Sequence, residues 1–589
     1  MSIKEKTAKI KLFFTKNAQI LALCLISSWI FASSVIYKAA NYGGENAKNA
    51  VFLISFAGAF IVLISFSLAF NTKLISGFAL AVTSLLYGAL IAWGRYDFYL
   101  FISLMAVYGV IGMYLLRDKW RSPFKTPLPA RFYVVFLTFC AVAFVIWVGG
   151  YGVARYLTYR TPCYDFGIFS QMFYYMKTDF SMNTTCERSR LLSHLAVHFS
   201  PVFYLILPVY MLFSTPATLQ VLQAVVVASA VFPLWLICRR LKLSLPVSAA
   251  LSFLYLIYPA TAGACSFDIH ENCFLPAFIL WTCYFVEKNK LLPTLIFAFL
   301  TLSVKEDAAV YVAFIAIYMI AANKNRLGGI LIFALSCMWF IAACNIITAL
   351  GGEIMTGRYS NFTDEGGSLL TMVKNVIAEP SRVINEISVA EKWEFAALML
   401  IPLGFLPLAA KKYSALFLVC PFILINMMPD YVYQHSIDFQ YTFGPLALLF
   451  YAAAINLSSF KPRNAKYLLV LGICSAMVLF TMRAPLHGRY FAYLENKTEI
   501  ETISEGLSLV PDNASVASST FFVANLSQRE ILYDLNYMQK TDNVYDVDYI
   551  VVDLRFGDDD KYYRECVSNG YESVFYEEGM IAVFSTKGE

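Results

Sequence analysis

The chain has 589 residues, 59% of them hydrophobic and only 14% charged, with a mean hydropathy of +0.61. Recurrent apolar runs long enough to cross about 30 Å of hydrocarbon exclude a soluble globular protein and point to a multi-span helical membrane protein. The net charge of +5 is spread over short loops and forms no continuous basic stripe, which excludes nucleic acid as an expected partner.

The N-terminal segment MSIKEKTAKIKLFFTK precedes an apolar run at 18–40 that is too long for a signal-peptide core. Further spans are expected at 51–70, 74–93, 98–116, 131–151, 217–238, 245–263, 273–287, 291–304, 308–322, 327–350, 393–410, 412–428, 440–457 and 465–482, giving an α-helical polytopic protein of about 15 transmembrane helices. Basic groups such as Arg239, Arg240 and Lys242, Lys288 and Lys290, Lys324 and Arg326, and Lys411 and Lys412 fill every second gap. By the positive-inside rule these gaps and the N-terminus are cytoplasmic, and the C-terminus is outside. Three domains are expected. Residues 1–117 form a four-helix N-terminal extension, and 118–488 form a core with external loops 152–216 and 351–392. Residues 489–589 form an acidic extracytoplasmic α/β domain. In that last part the pattern predicts a helix near 495–509, strands at 514–519, 545–556, 571–576 and 580–585, and a helix at 559–568.

The remaining gaps carry uncommon polar motifs: YDFGIF at 164–169, HLAVHFSP at 194–201, DIHEN at 268–272, KED at 305–307 and YVYQHSID at 431–438. All five fall on the outer side, as do the five histidines, His194, His198, His270, His435 and His487. Ionisable residues gathered at one face of a polytopic protein suggest a site there. Asp165 precedes Phe166, Phe169, Phe173 and Met176, a helical spacing suited to an amphipathic helix at the membrane surface. As an N-cap it would satisfy free backbone N–H groups; as a carboxylate beside a cleft it would serve as a general base or metal ligand. Lys305, Glu306 and Asp307 form either a polar helix cap or a charged crevice in a tight hairpin. The His194/His198 pair has the i, i+4 spacing of a metal pair but no HExxH context. The thirteen cysteines show no metal spacing. Cys163 and Cys186 flank YDFGIF, and both a disulfide and free packing thiols are open readings.

YDFGIFSQ at 164–171, HFSPVFYLILPVY at 198–210, FDIHEN at 267–272, KEDAAVYV at 305–312, QHSIDFQYTFGPL at 434–446 and the tail from 510 to 535 together resemble the GT-C superfamily of integral-membrane glycosyltransferases. Within it, the chain is most similar to a prokaryotic membrane family known as a domain of unknown function. The resemblance covers about 130 to the C-terminus and implies one-step, inverting transfer from a polyprenyl-phosphate sugar in the lipid bilayer to an envelope glycan, lipid or protein. It implies Asp165 as general base. It places the leaving phosphate near Lys305, Glu306, Asp307 and Arg358, or near a divalent cation, Mg or Mn, held by acids among Asp165, Glu271 and Glu306. His198, His270, Glu271 and His435 would line the cavity. The competing classes are a transporter or flippase for a lipid-linked glycan, which would favour a midplane site and internal repeats, and a non-catalytic envelope scaffold.

Overall fold

A computed structural model describes all residues except 1–2, 40–44, 71–72, 94, 96, 118–127, 355, 364–368, 483–487, 537–545 and 588–589. Among the described residues nine helices are long and apolar enough to span a membrane, and Leu291–Leu302, Ala308–Ala321 and Tyr413–Met427 are shorter apolar segments. Three of the expected spans are not continuous helices: 245–263 is interrupted by the extended Tyr258 ahead of Pro259, and two others break more deeply. The run at 393–410 ends its α-helix at Leu400, passes through a 3-10 turn, and reaches the left-handed Gly404 and Phe405. The run at 412–428 is a 3-10 turn, a short helix and a π-turn in sequence. Pro402, Pro407 and Pro421 explain both deeper breaks, since proline removes a backbone donor and clashes with the preceding turn.

The chain forms two compact units, and the expected boundary at 489 is not where they part. The first holds the helices Ile3–Ala39, Glu45–Ala69, Lys73–Ala92 and Phe98–Arg117 with Pro462–Met482 from far along the chain. Tyr467 Oη of that last helix donates to Gly109 O at 3.3 Å.

The second unit comprises 130–459 and 486–589. Its centre is the helix Phe443–Leu457, in which every residue is buried. A helix apolar on all sides belongs in the interior, and its polar atoms are accounted for. Asn456 donates to Leu406 O and Pro407 O, and Tyr451 Oη donates to Glu287 Oε1 at 2.6 Å. Glu287 also meets Tyr318 and Lys324, which closes one end of the helix group.

Two ladders complete this unit. A short hairpin pairs β1 (Asn183–Thr184) with β2 (Leu192–Ser193). A five-stranded sheet is built from β3 (Val516–Ser518), β4 (Leu532–Asp534), β5 (Tyr549–Asp553), β6 (Glu572–Glu577) and β7 (Ile581–Ser585), in the order β4-β3-β5-β7-β6. β3 is parallel to both β4 and β5, and the β7 pairings are antiparallel. Sequence periodicity misses β4, a three-residue strand, and residue 545 of the expected second strand lies outside the described residues. The chain leaves β3 first to one side and then to the other. Such a switch point leaves a crevice at the strand C-termini where α/β sheets usually bind ligands. Here the protein's own chain fills it. Cys163 N donates to Thr520 Oγ1 at 2.9 Å, and Arg555, paired with Asp553 at 2.6 Å, donates to Tyr159 O at 2.8 Å.

Candidate functional site

Asp165 stands in the first turn of the helix Cys163–Asp179, and Pro162 occupies the cap position. The expected N-cap role is therefore not the one adopted. Pro162 ends the preceding segment in an extended conformation that no side chain caps. The expected membrane-surface helix also needs correction. It exists, but Phe166, Phe169, Phe173 and Met176 are buried in protein. Phe169 packs edge-on against His194 and His270 and tilts against Phe203, while Phe173 meets Tyr210. Gln171 ties the helix to the segment beside β4: its carbonyl accepts from Thr185 N at 2.7 Å and its amide donates to Glu530 O at 3.0 Å.

The DIHEN segment is held from the membrane side. In the span Ala130–Leu157, Gly152 lets the backbone come so close to the next span that a Cβ would lie 3.2 Å from Gln220 Cβ. Gln220 donates to Asp268 Oδ1 at 2.8 Å, and Arg155 pairs with the same oxygen at 3.2 Å. One turn on, Gln223 accepts from His270 N at 3.1 Å and donates to Phe267 O at 2.9 Å. These two glutamines and Asp268 are positioning residues; sequence reading singles out DIHEN and the Gln-rich start of this span but gives none of the three this role. Their i, i+3 spacing inside an apolar run was the signal that could have found the pair.

The result is a cavity of about 1300 Å³, larger than an ordinary small-ligand pocket of about 300–1,000 Å³. Asp165, His194, His198, His270 and Arg358 line it. Behind the wall runs a chain of paired charges. Asp165 Oδ1 is 3.9 Å from His270 Nε2; His270 Nδ1 is 2.9 Å from Glu271 Oε2; Lys305 Nζ is 2.9 Å from Glu271 Oε1. Glu306 lies 2.9 Å from His198 Nδ1 and accepts from Phe199 N at 3.1 Å. His194 Nδ1 meets Glu187 at 2.9 Å.

Electrostatics separates these carboxylates. Desolvation within the cavity raises Asp165 above its ordinary value, more than His270 lowers it. Burial would raise Glu271 as well, but His270 and Lys305 outweigh it and hold that carboxyl well below the usual range. Burial likewise opposes ionisation of Glu306, yet His198 and Lys305 bring it down to about 2. Asp307, where burial wins, is pushed up to about 6.

The expected site residues thus divide. Asp165, His198, His270 and Arg358 face the cavity, while Glu271, Lys305, Glu306 and Asp307 are absent from its lining. Lys305 is 2% exposed and is engaged with Glu271, so of the two expected phosphate cations only Arg358 faces the cavity. His435 lies off the lining, against Glu391 at 4.0 Å. His487 lies outside the described residues. Asp165, Glu271 and Glu306 do not form a ligand set for Mg or Mn: the two glutamates are committed to His270, Lys305, His198 and Phe199 N. No three His, Cys, Asp or Glu side chains come together as a metal site among the described residues.

Sequence reasoning also missed the aromatic wall. Tyr431, Tyr433, Phe439 and Phe267 form a continuous series with centroids 5.1, 4.6 and 5.0 Å apart, the first two pairs edge-to-face and the third tilted. Arg358 lies over the rings of Tyr431 and Tyr441 at 4.9 and 5.0 Å, and donates to Tyr441 Oη at 3.2 Å. Among the described residues no carboxylate comes within ion-pair distance of its guanidinium. Its short helix, Thr356–Phe362, is anchored through Tyr359 Oη to Leu424 O at 3.0 Å and through Arg358 O, which accepts from Asp430 N.

The arrangement offers a partly desolvated carboxylate, an imidazole fixed by a buried ionised glutamate, and one cation held between rings. Comparison with known proteins adds the family. The chain belongs to the family described as predicted membrane protein (DUF2079), whose profile matches residues 155–575. No curated protein matches the chain.

Proposed function

We propose that the protein is a membrane glycosyltransferase of the GT-C type, moving a sugar from a polyprenyl-phosphate donor to an envelope glycan, lipid or protein at the outer face of the membrane. The N-terminus would then be cytoplasmic, and the cavity and the C-terminal sheet extracytoplasmic. The observation that carries this reading is one cavity lined by both Asp165 and Arg358, whose guanidinium meets no carboxylate among the described residues, beside an aromatic wall suited to sugar and isoprenoid.

Asp165 accepts the proton of the acceptor hydroxyl as its oxygen bonds to the anomeric carbon. The bond from that carbon to the phosphate oxygen breaks in the same step, so the configuration inverts. Arg358 meets the charge that grows on the departing polyprenyl phosphate. His270, oriented by Glu271, is the nearest imidazole to receive the proton from Asp165. Lys305 balances Glu271 and touches no substrate.

The test is transfer of sugar from a polyprenyl-phosphate donor by the purified full chain in nanodiscs. A protein inert with every such donor would return the weight to transport or scaffolding. Arg358→Ala should lower the rate by about 10²–10³-fold, the usual cost of removing one charge-stabilising donor. Arg358→Lys should restore little, because an ammonium lacks the planar face that sits between Tyr431 and Tyr441. Single-turnover kinetics on both variants checks this.

A pH profile supplies a second expected result. A base works when deprotonated, and Asp165 is raised by desolvation. Activity should therefore be lost on acidification through an apparent pKa above the ordinary carboxylate range. An acid limb in the ordinary range would separate that ionisation from Asp165.

A further inference from the structure

Cys163 opens the Asp165 helix, and Cys186 lies just after β1. Both are buried, both line the cavity, and both belong to the apolar cluster built on β3, β4 and β7. The two side chains are neighbours in that cluster, each a free thiol in this structure. Cys186 Sγ also lies 3.4 Å from Leu532 O, and Cys163 is fixed through its backbone N–H to Thr520. Two thiols are thus held against each other from two separate segments, each tied independently to the same sheet.

We propose that Cys163 and Cys186 are joined by a disulfide in the working protein, stapling the segment that carries Glu187, Arg188 and Arg190 to the first turn of the Asp165 helix. The proposal rests on the outward placement of the cavity given above, because such bonds persist in oxidising compartments. Two S–H bonds break and one S–S bond forms. The two electrons pass to the disulfide of an extracytoplasmic thiol oxidoreductase, and two protons leave. Asp534 lies against Cys163 and can accept its proton. Contact with Cys186 and burial push the Cys163 thiol well above its ordinary value. A thiolate there is costly, whereas a disulfide carries no charge to desolvate. The staple would keep Glu187 against His194 at the cavity rim.

The experiment maps thiols on the full chain. Cells are quenched in acid and solubilised in SDS with N-ethylmaleimide and no reductant, and the digest is read by mass spectrometry. The expected result is one cross-linked species containing Cys163 and Cys186, separated by dithiothreitol. In parallel, Arg188→Cys is placed on a Cys163→Ser/Cys186→Ser background and probed on intact cells with a membrane-impermeant maleimide; Arg188 is exposed. If Cys163 and Cys186 are both recovered labelled while Arg188→Cys reacts from outside, the disulfide is overturned and the outward placement stands. If both are labelled and Arg188→Cys reacts only after permeabilisation, the disulfide and the placement fall together.

Discussion

Asp165→Asn should leave the protein folded and inserted but reduce sugar transfer by about 10²–10⁴-fold, the usual weight of general-base catalysis. The amide keeps the size of the side chain and cannot accept the proton. Because Asp165 is a first-turn residue and not the cap, the substitution loses only a charge–dipole interaction of about 0.3–1 kcal/mol. Asp165→Ala should likewise cost no more than this, below the roughly 1 kcal/mol that loss of a true N-cap brings. Thermal melts of the two variants, set beside single-turnover transfer, separate catalysis from folding. Activity retained in Asp165→Asn would pass the role of base to His270, whose Nε2 already faces Asp165 at 3.9 Å.

Lys305→Met should do the opposite, removing the fold before the chemistry. The sequence suggests Lys305 as a phosphate partner, but the structure spends it on Glu271. Glu271 is fully buried and Lys305 is 2% exposed. Breaking a buried pair from one side leaves an uncompensated charge and costs about 3–5 kcal/mol, a large part of a stability of about 5–15 kcal/mol. The yield of monodisperse protein in detergent should collapse, and Lys305→Met/Glu271→Gln should recover much of it, since both charges then disappear together. Wild-type yield in Lys305→Met would refute the structural role. The sign of the pH effect follows from Glu271. Its carboxyl is depressed in the fold from an ordinary value of 4.5. Its contribution is therefore complete above that value and is lost as pH falls below it.

Much of the architecture was legible because membrane helices announce themselves. The apolar runs at 131–151, 217–238, 245–263 and 327–350 became spans with small shifts of their ends. The runs at 393–410 and 412–428 did not, because average hydropathy is blind to where Pro402, Pro407 and Pro421 fall. The polar motifs pointed to the right neighbourhood: Asp165, His194, His198, His270 and Tyr431 all line one cavity. Sequence could not assign the cations within it. Lys305 and Arg358 are both basic residues near polar motifs, and only three dimensions show which is sealed against a glutamate and which lies between tyrosines. The supports of Asp268 and His270 were hidden for the same reason, since Gln220 and Gln223 act across 48 and 47 residues.

The grip of Arg555 on Tyr159 O spans 396 residues of chain. A ribosome working at about 5–20 residues per second needs roughly 20–80 s to cover that distance. Throughout that interval the segment leading into Asp165 has been made, while the strand ends that seat it have not. A nascent chain thus cannot seat that segment until Arg555 and the strand before it have been made and folded. Substitutions in β3 or β5 should therefore register as slow or incomplete maturation of an otherwise inserted protein.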